Sequence, residues 1–245
     1  MRVYIGIDDT DNLETRGTGH QARSLGVSLM EAGLFELHSV TRHQLLVDRR
    51  IPFTSHNSSA CLVGESYAET GLLINHCRDF LIRESAFDAD AGLCIADSEN
   101  IPAEIMDFGL HAKKEILSLE EAQSLAGRHS IFLDGFLNTR IGMIGSLAAV
   151  GLRASRNDGR LLWTKNLRET QGIFRAGEYR HLTGIERIID RNEKEVSEDA
   201  ILEITEWCRP VMRKGHITLI VEKTEYNQIY EYISAPKEYI KSISE

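Results

Sequence analysis

The sequence predicts an α/β protein with two domains, a larger mixed-sheet domain over residues 1–158 and a small α+β domain over residues 159–245. A short apolar run at the N-terminus, Val3–Ile7, indicates a buried strand. A helical pattern of apolar residues follows over residues 22–30. Strand-like and helix-like segments then continue along the chain, which is the arrangement expected of a layered α/β protein.

Composition limits the classes of protein to consider. The 245 residues are 42% hydrophobic and 27% charged, as in soluble globular proteins, and the net charge of −9 argues against a generic nucleic-acid coat. We find no apolar run long enough to span a membrane and no signal peptide, so we expect a cytoplasmic protein. The four cysteines lack zinc-ligand spacing and are expected to be buried thiols.

The first strand ends in an acidic turn, Asp8-Asp9-Thr10-Asp11. Carboxylates this close together repel one another unless a cation lies between them. Mg²⁺ usually takes one or two carboxylates together with phosphate oxygens. We therefore predict Asp8, Asp9 and Asp11 as catalytic and metal-binding residues. The alternative is that they only shape a turn and cap the next helix.

Small residues precede that helix, at Gly17, Thr18 and Gly19. Small residues at a helix N-terminus expose backbone N–H groups, which favour phosphate. No lysine follows, so this is not the common phosphate-binding loop of ATPases. The sequence nevertheless predicts these three residues as contacts for a nucleotide.

A second glycine pair, Gly142 and Gly145, opens a helix of small residues, and Arg140 stands just before it. An arginine beside exposed N–H groups can clamp an anion, so we predict Arg140 as a catalytic residue that stabilises phosphoryl charge. The two glycines are predicted to bind phosphate. The alternative is a helix that packs tightly in the core.

Several of these segments resemble the archaeal isoleucine tRNA agmatidine synthetases, which join agmatine to a tRNA cytidine using ATP. The matching segments are Ile5–Asp11, Thr139–Arg140 and Ile144–Gly151, the last with Ser146 for an alanine. The chain also keeps the Ile51-Pro52-Phe53 segment of that family and Asn57 in the following loop, where the family loop is basic and this chain has Ser55-His56. The resemblance implies a kinase-like N-terminal domain, ATP and Mg²⁺ as cofactors, and Asn57 as a nucleotide contact.

The same resemblance bears on the acceptor. The oligonucleotide-binding fold and zinc ribbon with which those synthetases grip tRNA have no counterpart in this sequence. We therefore expect a small molecule or nucleotide as the acceptor, with tRNA as a doubtful partner. Oligomeric state is left open, and a homo-oligomer is one outcome.

The C-terminal third has two further features. Residues 151–187 carry seven arginines and one lysine against four carboxylates, and this basic stretch either faces a polyanion or is balanced by acidic neighbours. A helix is predicted over Glu198–Trp207, and strands over Ile217–Val221 and Gln228–Ile233. Helix plus hairpin suits a ferredoxin-like α+β unit, which the resemblance also implies.

The leading hypothesis is therefore a Mg²⁺–ATP-dependent phosphotransferase or ligase that acts on an unidentified small acceptor. Two alternatives stay open. One is a non-catalytic nucleotide- or metabolite-binding module or subunit. The other is a small-molecule kinase of the acid-sugar type, whose members also begin with a strand that ends in two aspartates.

Overall fold

A computed structural model describes residues 1–52, 56–225 and 229–245. The chain divides into two compact units, Met1–Ser155 and Arg156–Glu245. Helices and strands are interleaved in both units, so the α/β class is confirmed. The expected domain boundary at 158/159 lies close to this division.

The first unit contains five strands and five helices in its described part. The strands are β1 (Arg2–Asp8), β2 (Phe35–Gln44), β3 (Ser58–Ser66), β4 (Gly92–Asp97) and β5 (Phe132–Gly135). The helices are α1 (Thr18–Glu31), α2 (Thr70–Glu84), α3 (Ala103–Ala112), α4 (Leu119–Arg128) and α5 (Gly142–Ala154). The strand order is β5-β4-β1-β3-β2, with each neighbouring pair antiparallel.

Strand β1 lies at the centre of this sheet and packs against α5. Val3, Ile5 and Ile7 have no exposed surface. A Cβ on Gly6 would lie 2.1 Å from the carbonyl oxygen of Ser146, so the strand and helix backbones touch at this point. Glycine is required here because any side chain would push α5 away from the sheet. This contact sets the position of the first turn of α5 relative to the acidic end of β1.

Helix α4 starts with a complete capping box. The Ser118 hydroxyl accepts from the Glu121 backbone N–H at 3.2 Å, and the Glu121 carboxylate accepts from the Ser118 backbone N–H at 2.7 Å. We expect Ser118→Ala to lower the free energy of unfolding by about 1 kcal/mol, because one N–H of the first turn loses its acceptor. Urea unfolding followed by circular dichroism measures this. An unchanged unfolding midpoint would show that solvent replaces the cap without cost.

The second unit contains seven strands and two helices in its described part. The strands are β6 (Arg160–Thr164), β7 (Gly172–Arg175), β8 (Arg187–Asp190), β9 (Ile201–Ile204), β10 (Val211–Arg213), β11 (His216–Lys223) and β12 (Tyr232–Ser234). The helices are α6 (Ala176–Thr183) and α7 (Lys237–Ser244). The path of the sheet is β6-β10-β11-β12-β9-β7, and β8 pairs in parallel with β11.

The predicted helix over Glu198–Trp207 is wrong. Residues Ile201–Ile204 form strand β9, which pairs with β7 and β12. Leu202 and Ile204 are buried while their neighbours are half-buried, and this alternation is the pattern of a strand. The predicted strand over Ile217–Val221 is confirmed within β11, and it pairs with β12. Gln228, where the last predicted strand begins, lies outside the described residues.

Several arginines of the basic stretch pair with nearby carboxylates in the second unit. Arg180 pairs with Glu198 at 2.9 Å, and Arg175 lies 3.6 Å from Asp199. The Arg187 Nε donates to Glu195 at 2.6 Å. These pairs favour the interpretation of a balanced surface over that of an open polyanion-binding face.

All four cysteines are buried and unbonded to one another, as predicted. Burial raises the pKa of Cys61 to about 12 and that of Cys208 to about 11. In the described ranges, no helix has the length and apolar character needed to cross a bilayer.

Candidate functional site

A pocket opens in the first unit where β1 ends, and it has an acidic wall and an apolar wall. The acidic wall contains Asp8, Asp9 and Asp11, with Thr18, Gly142 and Gly145 beside them. The apolar wall is formed by aliphatic and proline side chains, namely Leu45, Ile51, Pro52, Ala112, Ile116, Leu117, Ile141 and Ile144. A pocket of this kind can hold a ligand with a charged end and an apolar end.

Asp8 is the last residue of β1 and lies against the first turn of α5. A Cβ on Gly145 would lie 1.7 Å from the Asp8 Oδ2 atom, so the carboxylate occupies the space that a side chain at position 145 would need. Burial, followed by repulsion from Asp9, raises the pKa of Asp8 well above its usual value. The charged form of this carboxyl group is therefore disfavoured, and either a proton or a nearby cation would relieve the cost.

Asp9 adopts a left-handed backbone conformation, with φ of 51°. This conformation is uncommon for a residue with a side chain. Burial is the largest cause that raises the pKa of Asp9, to about 6, and repulsion from Asp90, Asp11 and Asp88 adds to it. Carboxylates from two segments that are far apart in the sequence, residues 8–11 and residues 88–90, therefore gather here.

Asp11 holds the start of α1. Its Oδ1 atom accepts from the Thr18 backbone N–H at 2.9 Å and from the Thr18 hydroxyl at 2.7 Å. The Thr10 hydroxyl donates in turn to the Thr18 hydroxyl at 3.2 Å. For Asp11 this geometry matches the capping alternative that the sequence left open. Gly17 is the residue before α1 and Gly19 lies in its first turn, and neither belongs to the pocket lining.

The first turn of α5 uses its backbone N–H groups within the protein. The N–H of Gly142 donates to the Asp90 carbonyl at 3.0 Å, and the N–H of Ile144 donates to the Ile141 carbonyl at 3.0 Å. A Cβ on Gly142 would lie 2.5 Å from the same Asp90 carbonyl oxygen. Gly142 therefore permits close backbone packing, and its N–H is already bonded rather than directed at a phosphate.

Arg140 does not line the pocket, although Ile141 and Gly142 do. Its Cβ packs over Gly135, at 2.5 Å from the position that a Cβ on Gly135 would take. Its backbone N–H donates to the Asp90 carboxylate at 3.1 Å, and its φ is 63°. Its predicted role toward phosphoryl charge stays a prediction, without support from this arrangement.

Asn57 lines the pocket and also fixes the loop that carries it. Its Nδ2 donates to the Leu46 carbonyl at 2.7 Å, and its own carbonyl accepts from the Leu45 N–H at 2.9 Å. Phe53 and Ser55, in the same predicted loop, lie outside the described residues. His56 lines the pocket beside Asn57.

Sequence reasoning missed three contributors to the site. Asp90 holds the turn before α5 and raises the pKa of Asp9, while Arg50 and Glu115 line the pocket. Asp90 stands two residues before a buried strand, in the run Asp88-Ala89-Asp90, and acidic residues beside a strand end could have indicated it. Arg50 and Glu115 carry no comparable signal.

The carboxylates fit a divalent cation by charge. Asp8 and Asp9 both have raised pKa values because they are buried near other carboxylates, and a cation would relieve this. In the ranges described, no group of three or more His, Cys, Asp or Glu side chains is placed to hold a metal ion. Mg²⁺ usually takes only one or two carboxylates from the protein and completes its shell with water and phosphate.

The sequence is similar to two curated archaeal proteins. The chain is 30% identical over 152 residues to an uncharacterised protein of Methanocaldococcus jannaschii, covering 62% of this chain and 50% of that protein. It is 29% identical over 156 residues to TiaS, the tRNA 2-agmatinylcytidine synthetase of Archaeoglobus fulgidus, covering 62% of this chain and 36% of that enzyme. No family model matches the chain.

Comparison with solved structures also finds similarity to TiaS. A crystal structure of a TiaS–tRNA–ATP complex matches with a TM-score of 0.55 at 26% identity, over 62% of this chain and 36% of that chain. A TiaS complex with tRNA, AMPCPP and agmatine matches with a TM-score of 0.53 at 26% identity, over 62% of this chain and 36% of that chain. The chain is thus similar to TiaS in sequence and fold over 62% of its length, while it spans half or less of the curated relatives it matches.

Proposed function

We propose that the first unit binds ATP with Mg²⁺ in this pocket and uses it to transfer a phosphoryl group or drive a ligation. The observation that carries the proposal is the Asp8 carboxylate, which is half-buried and lies against the first turn of α5 in a space that Gly145 leaves open. Similarity to a TiaS that was crystallised with ATP supports the choice of nucleotide.

Each wall of the pocket has a separate task in this proposal. Asp8 and Asp9 would hold Mg²⁺, which supplies charge neutralisation for phosphoryl transfer. Asp11 and Thr18 keep the loop before α1 in place through their hydrogen bonds. The apolar wall would cover the base and exclude water, which strengthens electrostatic interactions at the acidic end.

For the acceptor we propose a small molecule or a nucleotide. Three arginines of the second unit that could contact a long polyanion, Arg175, Arg180 and Arg187, already pair with carboxylates. Exposed pairs of this kind can open, so the proposal needs its own test. A clear rise in ATP hydrolysis on addition of tRNA would contradict it.

Thermal unfolding with and without Mg²⁺–ATP tests the proposal as a whole. A ligand at 100 times its Kd stabilises the folded state by about 2.7 kcal/mol, so we expect a clear rise in Tm. Asp9→Asn should weaken Mg²⁺–ATP binding at least about tenfold, because a carboxylate that faces the cation is lost.

The matched control is Asp107→Asn, which removes one exposed carboxylate of α3 that does not line the pocket. We expect this variant to bind as the wild type does. Overnight incubation with Mg²⁺–ATP then separates an enzyme from a binding module, because ADP or AMP accumulates only if the chain catalyses a reaction. Wild-type protein that shows neither stabilisation nor product would end the proposal.

A further inference from the structure

The pocket has a charge imbalance that a nucleoside triphosphate would increase. Its lining includes four carboxylates, those of Asp8, Asp9, Asp11 and Glu115. Within the ranges that the structure describes, the lining side chains able to carry positive charge are those of Arg50 and His56. One divalent cation offsets only part of the negative charge of this wall and of a bound polyphosphate. An additional N–H donor at the same pocket would therefore favour binding of a polyphosphate.

Arg50 is held in a defined orientation by Asp48. The Arg50 Nε donates to Asp48 Oδ1 at 2.9 Å, and Nη2 donates to Asp48 Oδ2 at 2.8 Å. The Arg50 backbone N–H also donates to Asp48 Oδ1 at 2.9 Å, and the Ile51 N–H donates to the Asp48 carbonyl at 3.0 Å. A short turn and a two-point side-chain pair thus fix the guanidinium at the rim of the pocket.

This pairing uses one edge of the guanidinium and leaves Nη1 outside the pair. The Arg50 side chain is 75% exposed, so a ligand in the pocket can reach it. A guanidinium presents planar N–H donors that match phosphate oxygens, and a side chain already fixed loses less entropy on binding. Ile51 and Pro52, which follow directly, continue the lining from the rim into the apolar wall.

We propose that Arg50 is the side chain of this pocket that contacts the polyphosphate of the nucleotide, with Asp48 as its positioning residue. The inference rests on the proposed function and adds to it an oriented N–H donor for phosphate, because Asp48 offsets the charge of Arg50 but leaves its Nη1 outside the pair. It gives Arg50 the part that sequence reasoning gave to Arg140, which is not among the residues that line the pocket. Loss of Arg50 should weaken binding of ATP much more than binding of AMP, because AMP lacks the phosphates beyond the first.

Isothermal titration of the full chain with ATP and with AMP, each with Mg²⁺, tests this. We expect Arg50→Ala and Arg50→Gln to weaken ATP binding about tenfold or more, since a charge-assisted hydrogen bond is lost. AMP binding should change less than about twofold. The exposure of Arg50 makes misfolding of these variants a minor concern, and circular dichroism checks it.

Arg49→Ala is the matched control, because it removes the same charge from the adjacent exposed residue, which does not line the pocket. It should bind both nucleotides as the wild type does. Three results would overturn the inference: Arg50 variants that keep ATP affinity, variants that lose ATP and AMP equally, or an equal loss in Arg49→Ala. Wild-type protein that binds no ATP would instead remove the proposed function, and this subsite with it.

Discussion

Replacing Gly145 with alanine is expected to disrupt the acidic end of the pocket and to destabilise the first unit. The new Cβ would lie 1.7 Å from the Asp8 Oδ2 atom and 2.5 Å from the carbon that bears it. Relief of this overlap requires the Asp8 carboxylate to leave its place at the pocket or the buried first turn of α5 to move. We expect the free energy of unfolding to fall by about 3 kcal/mol, as in overpacked cores. Urea unfolding measures this.

Two variants show whether the clash with Asp8 causes the loss. Gly71→Ala is the matched control, since Gly71 is also a helical glycine but a Cβ there would meet nothing within 4 Å. It should leave stability unchanged or raise it slightly, because alanine favours helix more than glycine does. Asp8→Ala combined with Gly145→Ala should recover at least half of the lost stability, since neighbouring substitutions are not additive. A double variant as unstable as the single one would place the clash elsewhere.

Asp8→Asn should make the metal-free protein more stable and the nucleotide-dependent function much weaker. The amide has the size of the carboxylate and keeps an acceptor for hydrogen bonds, but it has no charge. Burial and the neighbouring Asp9 disfavour the charged form of Asp8, so removing the charge should raise the free energy of unfolding by about 1 kcal/mol in EDTA. ATP turnover should fall about 100-fold, because a group that holds the neutralising cation is lost.

Stability and turnover are measured on the same samples, with Asp107→Asn as the matched control for both. The opposite signs of the two effects are the informative outcome, because a substitution that simply damages the fold lowers both. An Asp8→Asn protein that turns over ATP normally would exclude this carboxylate from the chemistry. Lower stability in EDTA would show that the carboxylate is already compensated within the fold.

The sequence was most informative where local pattern and local structure coincide. The strand that ends at Asp8 and the helix that begins at Gly142 were both predicted, because each depends on a few consecutive residues. The segment around Ile201 was predicted as a helix, since a short apolar run fits either period. Its strand conformation comes from pairing with β7 and β12, which no local pattern contains.

The residues of the candidate site could likewise be predicted only where they form a local sequence pattern. The acidic turn at Asp8 and Asp9 could be read directly, and so could the glycines at the start of α5. The part played by Asp90 could not, because it depends on strand β4 lying next to β1. Arg50 was missed for a similar reason, since only the folded chain brings its turn to the pocket that contains Asp8. Contacts between residues that are far apart in the sequence and are brought together by strand pairing can be identified only from the structure.

The buried cysteines can be used as labelling probes for unfolding of each unit. Cys61, Cys77 and Cys94 belong to the first unit and Cys208 to the second, and burial raises the pKa of each. A thiol that is both inaccessible and protonated resists alkylation. Iodoacetamide should therefore label each unit only as fast as that unit unfolds, and mass spectrometry of the labelled peptides would give two separate opening rates from one unmodified protein.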